Sequence, residues 1–319
     1  MITVEGVTKR FGGLTAVDDL TFQVDRGEVV GFLGPNGAGK TTTMRMLTGT
    51  LQPDIGRVLF DGRSIGDDLA GAKRRVGYLP ESNPLYEDML VCEYLEFTAR
   101  LRELQGPSLR AAVRKAADQT GLADVFYRPI AETSKGFRQR IGLAAAILHE
   151  PEILVLDEPT EGLDPNQRVE IRKLVSELGR ERTVLLSTHV MQEVEATCNR
   201  LLIISRGRLV AEGTVSALIA GDRGLSQYIV EADGSGVAET LATLPGVESH
   251  HAEPVDGRVR VRLSVGGNEE LRPRIFALAR EHGWTLWELH RERASLEDVF
   301  RQLTTEAPAA AADAVEAQP

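Results

Sequence analysis

The run Gly34-Pro35-Asn36-Gly37-Ala38-Gly39-Lys40-Thr41-Thr42 is the densest concentration of chemistry in this 319-residue sequence. It fits the phosphate-loop pattern G-x-x-x-x-G-K-[ST]. Glycines at those positions let the backbone turn tightly and close its N–H groups around a β-phosphate. A helix starting near Lys40 would turn its positive end to the same anion. Lys40 would reach the β/γ oxygens and Thr41 would hold Mg2+, so the pattern predicts a nucleoside-triphosphate binder. A second candidate pair, Asp157-Glu158, follows the apolar run Ile153-Leu-Val-Leu156. Carboxylates at the tip of a parallel strand sit where ligands bind in such sheets. Asp157 can hold Mg2+ through water, and Glu158 can polarise an attacking water as a general base. A solvated strand–loop junction would explain the two acids without chemistry. The sequence holds no guanine-reading N-K-x-D and no kinase-type H-R-D or D-F-G, which favours hydrolysis over transfer.

These residues need strands and helices to position them. Ile2–Val7, Val17–Val24 and Val58–Phe60 are short alternating or β-branched runs and read as strands. Glu28–Leu33, Ile153–Leu156, Val184–Ser187 and Leu201–Ile204 are continuously or nearly continuously apolar, as strands buried on both faces are. Helix-like segments alternate with them, predicting a parallel α/β sheet within residues 27–205. Between Pro84 and Glu150 no strand is convincing. Tyr94–Leu101, Leu109–Ala116 and Ile141–Leu148 read as helices, a helical insert of about residues 84–150. After Gly221 the style changes. Strands at Gln227–Glu231, Val247–His251, Arg258–Leu263 and Trp284–Leu289 interleave with helices at Val237–Leu244 and Glu269–His282, and a helix at Leu296–Leu303 closes the chain. That βαββαβ order predicts a small ferredoxin-like α+β domain. The expected division is 1–222, 223–303, and a low-complexity disordered tail at 304–319.

Composition bounds the setting. A formal net charge of −10 argues against non-specific nucleic-acid binding. The acidity is uneven, because residues 221–319 carry 10 Lys+Arg against 17 Asp+Glu. Cys92 and Cys198 form no metal- or redox-type pair and are expected as buried apolar residues of a reducing compartment. No stretch approaches the ~18 apolar residues of a membrane span, and the N-terminus lacks a signal peptide's layout. The expectation is a cytoplasmic chain whose membrane work, if any, needs another polypeptide. His149, His250, His251, His282 and His290 show no ligand spacing and read as surface residues.

The order of several further motifs over residues 1–220 resembles the ATP-binding-cassette (ABC) family of transport ATPases. Thr133-Ser134-Lys135-Gly136-Phe137-Arg-Gln-Arg resembles the family signature, at the start of a helix read as Gly136–Leu148. A serine hydroxyl and free N–H groups at a helix N-terminus make an anion site. The resemblance implies that Ser134, Lys135 and Gly136 cap the ATP held by a second copy of the chain. It implies too that Glu161-Gly-Leu-Asp164-Pro165 is a loop crossing the dimer interface. Asp164 is equally explained as a helix N-cap before Pro165. Ser187-Thr-His189 matches the family's switch histidine, which holds the γ-phosphate and steadies the water. Phe11 lies where the family stacks an aromatic on adenine, and a core phenylalanine is the alternative.

Three positions depart from the family pattern. Glu81 stands where a glutamine commonly contacts Mg2+, Lys135 replaces a signature glycine, and Glu161 takes the place of a small residue. The Lys135 ammonium would partly offset Glu81 beside the partner's nucleotide. Leu79-Pro-Glu-Ser-Asn-Pro-Leu-Tyr86, Ser134-Lys-Gly-Phe-Arg-Gln-Arg140 and Ala294-Ser-Leu-Glu-Asp-Val-Phe300 resemble the drug, lipid, sodium and gliding-motility exporter branch. That resemblance implies an ATP- and Mg2+-dependent ATPase, peripheral on the inner face of the cell membrane. It would homodimerise on ATP and drive a separately encoded multi-span permease. Its helical insert with Glu81 would be the docking face, and its acidic C-terminal domain would face away from the anionic membrane. The alternative is a soluble cassette ATPase acting on ribosomes or DNA.

Overall fold

The computed structural model describes residues 1–221, 226–266, 270–292 and 295–305. They fall into two compact units, Met1–Thr214 with 303–305, and Val215–Gln302. The division precedes the compositional change at Gly221, because the apolar helix between the two points reads like the segments before it.

The first unit opens with β1 (Ile2–Phe11) and β2 (Leu14–Val24), then β3 (Val29–Leu33), which feeds the phosphate loop and α1 (Lys40–Leu47). Next come β4 (Ile55–Phe60), β5 (Arg63–Ser64), α2 (Leu69–Arg75) and β6 (Val76–Leu79). The helical insert is α3 (Val91–Leu101), α4 (Gly106–Thr120) and α5 (Lys135–Ile147). The remainder alternates as β7 (Ile153–Asp157), α6 (Pro165–Leu178), β8 (Thr183–Thr188), α7 (Met191–Thr197), β9 (Arg200–Ser205) and β10 (Arg208–Gly213). β1, β2, β4 and β5 make an antiparallel sheet in the order β2-β1-β4-β5. The central sheet runs β10-β9-β3-β8-β7-β6, parallel from β9 to β6 with β10 antiparallel at its edge.

The apolar strands are apolar throughout because they have a core on each face. Ile153, Val155 and Leu185 face one core, shared with Ile2, Val4, Phe22, Phe60 and Met44 of the antiparallel sheet and α1. Leu154, Leu156, Val184 and Leu186 face the other, shared with Leu95, Val113, Ile141 and Ile171 of α3 to α6. Successive residues of a strand point to opposite faces, so a strand with two cores cannot spare a polar residue on either. The sequence had no signal for β6, which is short, interrupted by Gly77 and only recognisable by its parallel pairing to β7.

The second unit begins with α8 (Val215–Gly221) and continues β11 (Ser226–Asp233), α9 (Val237–Ala242), β12 (Val247–Val255), β13 (Arg258–Val265), α10 (Arg272–His282), β14 (Thr285–Glu292) and, up to Gln302, α11 (Leu296–Thr305). Its sheet is wholly antiparallel, in the order β12-β13-β11-β14, the interleaved arrangement of a ferredoxin-like βαββαβ unit. Tyr228, Val230, Val261, Leu263, Ile275 and Trp284 build its core. The α10 helix starts at Arg272 rather than 269, with Pro273 in its first turn where a missing N–H is harmless; Glu269 lies outside the described residues. Thr304 and Thr305 extend α11 instead of opening a tail, and 306–319 lie outside the described residues, as does Ala294.

Two smaller expectations change. Cys92 and Cys198 are free and only partly buried, with Cys198 pressed against the sheet at Gly31 and its thiol pushed up to about 12 by desolvation. His149 is half-buried rather than a surface residue; its Nε2 lies 3.1 Å from the Val76 carbonyl, and burial pulls its pKa down to about 4.

Gly77 tests the packing of insert against sheet. A Cβ there would lie 2.2 Å from the Ala146 carbonyl oxygen of α5, a backbone atom that cannot swing aside. Gly77→Ala is expected to cost about 2 kcal/mol by overpacking, read as a lowered melting temperature of the full chain.

Candidate active site

Three parallel strands deliver the chemistry to one end of the central sheet. Leu33 of β3 pairs with Thr188 of β8, and Asp157 of β7 pairs with Ser187 of β8. The residues that follow these ends are Gly34, His189 and Glu158, so segments distant in sequence converge. Glu158, His189 and the loop from Asn36 border a cavity of about 610 Å³. Of the candidates marked in the sequence, Phe11, Asn36, Gly37, Ala38, Gly39, Lys40, Thr41, Thr42, Glu81, Glu158 and His189 line it, while Gly34 and Pro35 do not. Phe11 is half exposed there, which sets aside its reading as a core residue.

The loop holds its shape through the glycines. Gly39 has φ +100°, and a Cβ on it would lie 2.5 Å from the Ala16 carbonyl, so only glycine fits. It is the N-cap of α1 and gives that helix no side-chain cap, which leaves the first-turn N–H groups for an anion. Lys40 is buried, with Nζ donating to the carbonyls of Gly34 at 2.8 Å and Pro35 at 3.4 Å. Its third partner is Glu158 Oε1 at 3.3 Å.

Glu158 is the hub of the site. Its φ of +49° is left-handed, a conformation costing a non-glycine residue about 1 kcal/mol. Two bonds hold it there, from its N–H to the carbonyl and to the hydroxyl of Ser187, both at 3.1 Å. The turn aims a nearly buried carboxylate at Lys40 on one side and, through Oε2, at His189 Nδ1 on the other, 3.0 Å away. His189 keeps 44% of its side chain exposed, so it remains open to a ligand.

Asp157 lies behind, fully buried. Its Oδ1 accepts from Ser187 Oγ at 2.5 Å, while Oδ2 has no partner among the described residues. Desolvation pushes its pKa above the usual carboxylate range, aided by Glu81 and Glu158 and opposed by the hydroxyls of Ser187 and Thr41. An orphaned, buried carboxylate oxygen beside a threonine hydroxyl suits a hard divalent cation. Thr41 Oγ1 also approaches Glu81 Oε2, at 3.4 Å. These oxygens fit Mg2+ held jointly with phosphate; no cluster of three or more His, Cys, Asp or Glu able to hold a metal occurs among the described residues.

The signature residues are elsewhere. Ser134, Lys135 and Gly136 do not border the cavity of their own chain. Ser134 caps α5, accepting from Phe137 N at 3.3 Å, which starts that helix one residue earlier than read. Lys135 reaches the face of Gly162, so the signature adjoins the 161–164 loop, whose Asp164 caps α6 by accepting from Gln167 N at 2.9 Å. The sequence reading missed Leu14, Thr15, Ala16 and Arg206 in the cavity wall, Ser187 behind it, and Glu193. Strand pairing would have found Ser187, since it lies opposite Asp157.

Asp157 supplies a pH test. Because its pKa is raised on folding, its ionisation costs stability at neutral pH, and the loss vanishes as acidification protonates it in both states. Asp157→Asn is expected to melt higher than the wild type at pH 7.5, the gap shrinking toward pH 4.

No described helix is long and apolar enough to cross a membrane. The sequence profile described as ABC transporter matches residues 17–161. The chain is 37% identical to the daunorubicin resistance ATP-binding protein DrrA3 of Streptomyces coeruleorubidus, over 95% of each chain. It is 38% identical to the Nod factor export ATP-binding protein I of Burkholderia lata, over 95% of this chain and 96% of that one. A solved ATP-binding subunit of an ABC transporter superposes with TM-score 0.63 at 29% identity, covering 69% of this chain and 92% of the other. Likeness of that extent, carried by nearly the whole length of both proteins, makes this chain a member of the ABC transporter family and an ATPase subunit of it.

Proposed function

We propose that the chain hydrolyses ATP as the motor of an exporter, closing on a second copy of itself and driving a separately encoded multi-span permease at the inner face of the cell membrane. The observation that carries the catalytic part is Glu158, held between the Lys40 ammonium and His189 at the mouth of the phosphate loop. Phe11 stacks on the adenine, and the N–H groups of Gly37 to Thr42 cradle the phosphates. An ammonium has three hydrogens, and those of Lys40 are engaged by Gly34, Pro35 and Glu158. A β/γ oxygen therefore displaces one of them, and releasing Glu158 leaves its carboxylate free to act as base. Glu158 then takes the proton of a water attacking the γ-phosphorus, the bond to the bridging oxygen breaks, and ADP leaves. His189 fixes the γ-phosphate and the water. Asp157, Thr41 and Glu81 would hold Mg2+, which when bound would offset charge on the phosphate oxygens.

Dimerisation is supported by the position of Ser134, Lys135 and Gly136 outside their own cavity, at a capped helix N-terminus beside the 161–164 loop with Asp164. That surface would complete the site of a second copy, with Lys135 near its Glu81. Export and a permease partner are supported by the relatives, named for drug resistance and Nod factor export.

Two experiments test this. Glu158→Gln is expected to lower ATP turnover by at least about a hundredfold while retaining ATP binding, and to yield an ATP-dependent dimer on gel filtration; wild-type turnover removes Glu158 as base. Affinity purification from detergent-solubilised membranes is expected to recover a multi-span protein, whereas ribosomes or DNA in its place would overturn the transport role.

A further inference from the structure

We propose that Glu193 is a positioning residue for hydrolysis, a buried carboxylate that holds the His189 segment and the loop after Glu158 in one register. It lies in the first turn of α7, 2% exposed. Both of its oxygens are used. Oε1 accepts from Thr160 Oγ1 at 2.5 Å, and Oε2 accepts from Thr188 Oγ1 at 3.0 Å. Thr188 Oγ1 itself accepts from Val190 N at 3.0 Å, so its single hydrogen points to Glu193. Thr160 and Thr188 are as buried as the carboxylate between them.

The two hydroxyls belong to the two segments that meet in the site. Thr188 precedes His189. Thr160 follows Glu158 by two residues in a loop of successive turns, in which Glu161 N donates to Glu158 O and Leu163 N to Thr160 O. Glu158 and His189 touch at 3.0 Å on the cavity side, and Glu193 joins their backbones from the buried side. His189, half exposed at the cavity, takes its setting from this hidden link. The loop on the Thr160 side leads on to Asp164, so a displacement at the surface beside the signature is transmitted to His189.

The chemistry of the residue supports a role beyond filling space. Among the described residues no ion pair reaches Glu193, and a carboxylate buried with neutral donors alone costs stability that an amide would not. Only a carboxylate accepts on both sides. A glutamine would offer N–H to one hydroxyl, which must then accept instead of donate and leaves its own hydrogen without this acceptor, while filling nearly the same volume.

The test uses the purified full chain with steady-state ATP hydrolysis, fluorescent-ATP binding and thermal melting. Glu193→Gln is expected to lower kcat by about tenfold or more while KM and nucleotide affinity stay within about twofold. Thr160→Val is expected to do the same and Thr160→Ser to restore turnover, which keeps the test alive should Glu193→Gln fail to fold. The double variant Glu193→Gln/Thr160→Val should lose no more than the worse single one, since both break one link. Unchanged kcat in Glu193→Gln, losses that multiply, or turnover that falls only in step with melting temperature and affinity would overturn the role. A wild type that binds nucleotide without turnover would overturn the hydrolytic reading itself.

Discussion

Three adjacent parallel strands end nearly level, and every functional contact in the first unit depends on that alignment. Because β3, β8 and β7 pair in a fixed parallel register, Gly34 emerges at the same end of the sheet as Glu158 and His189, more than a hundred residues further along the chain. A one-residue slip would turn each strand's inward residues to the opposite core. Both cores are apolar, so a slip alone is not excluded by polarity. It is the differing partners of Val155 and Leu154, and the close approach of α5 to Gly77, that select one register.

The site is an unstable arrangement held by a stable frame. Asp157, Glu158 and Glu193 are three buried carboxylates on neighbouring segments, and Lys40 is the cation in reach of Glu158. Hydroxyls and backbone N–H groups carry the rest of the compensation. Ser187 serves two of the acids, donating to Asp157 and accepting from the N–H of Glu158. Such a site is costly without a ligand, since Asp157 Oδ2 is buried without a partner among the described residues. Placing Asp157 and Glu158 at the end of a rigid strand keeps them from relaxing toward water.

The second unit obeys simpler rules. Its strands bury one face only, so they alternate, and Tyr228, Val230, Val261 and Leu263 turn inward beneath α9 and α10. The other face is charged yet ordered by pairing, with Glu231 held between Arg258 at 2.7 Å and Arg260 at 2.9 Å. Alternation is a local signal, which is why Arg258–Leu263 was legible as a strand.

The sequence by itself determined the phosphate loop, the helix beginning at Lys40, the buried strands and the βαββαβ order. Each rests on a periodicity or a glycine spacing that is complete within a few residues. It could equally well name Asp157, Glu158 and His189, because strand ends and neighbouring residue types mark them. It left Phe11 between two roles, and only the exposure of the ring at the cavity wall sets the core one aside. It had no means to reach β6, the cavity wall at Thr15 and Arg206, or the tie between Thr160, Glu193 and Thr188. Those depend on which segments the sheet brings side by side. A hydroxyl facing a carboxylate obeys no spacing rule along the chain, so contacts of that kind exist only once the tertiary structure has closed.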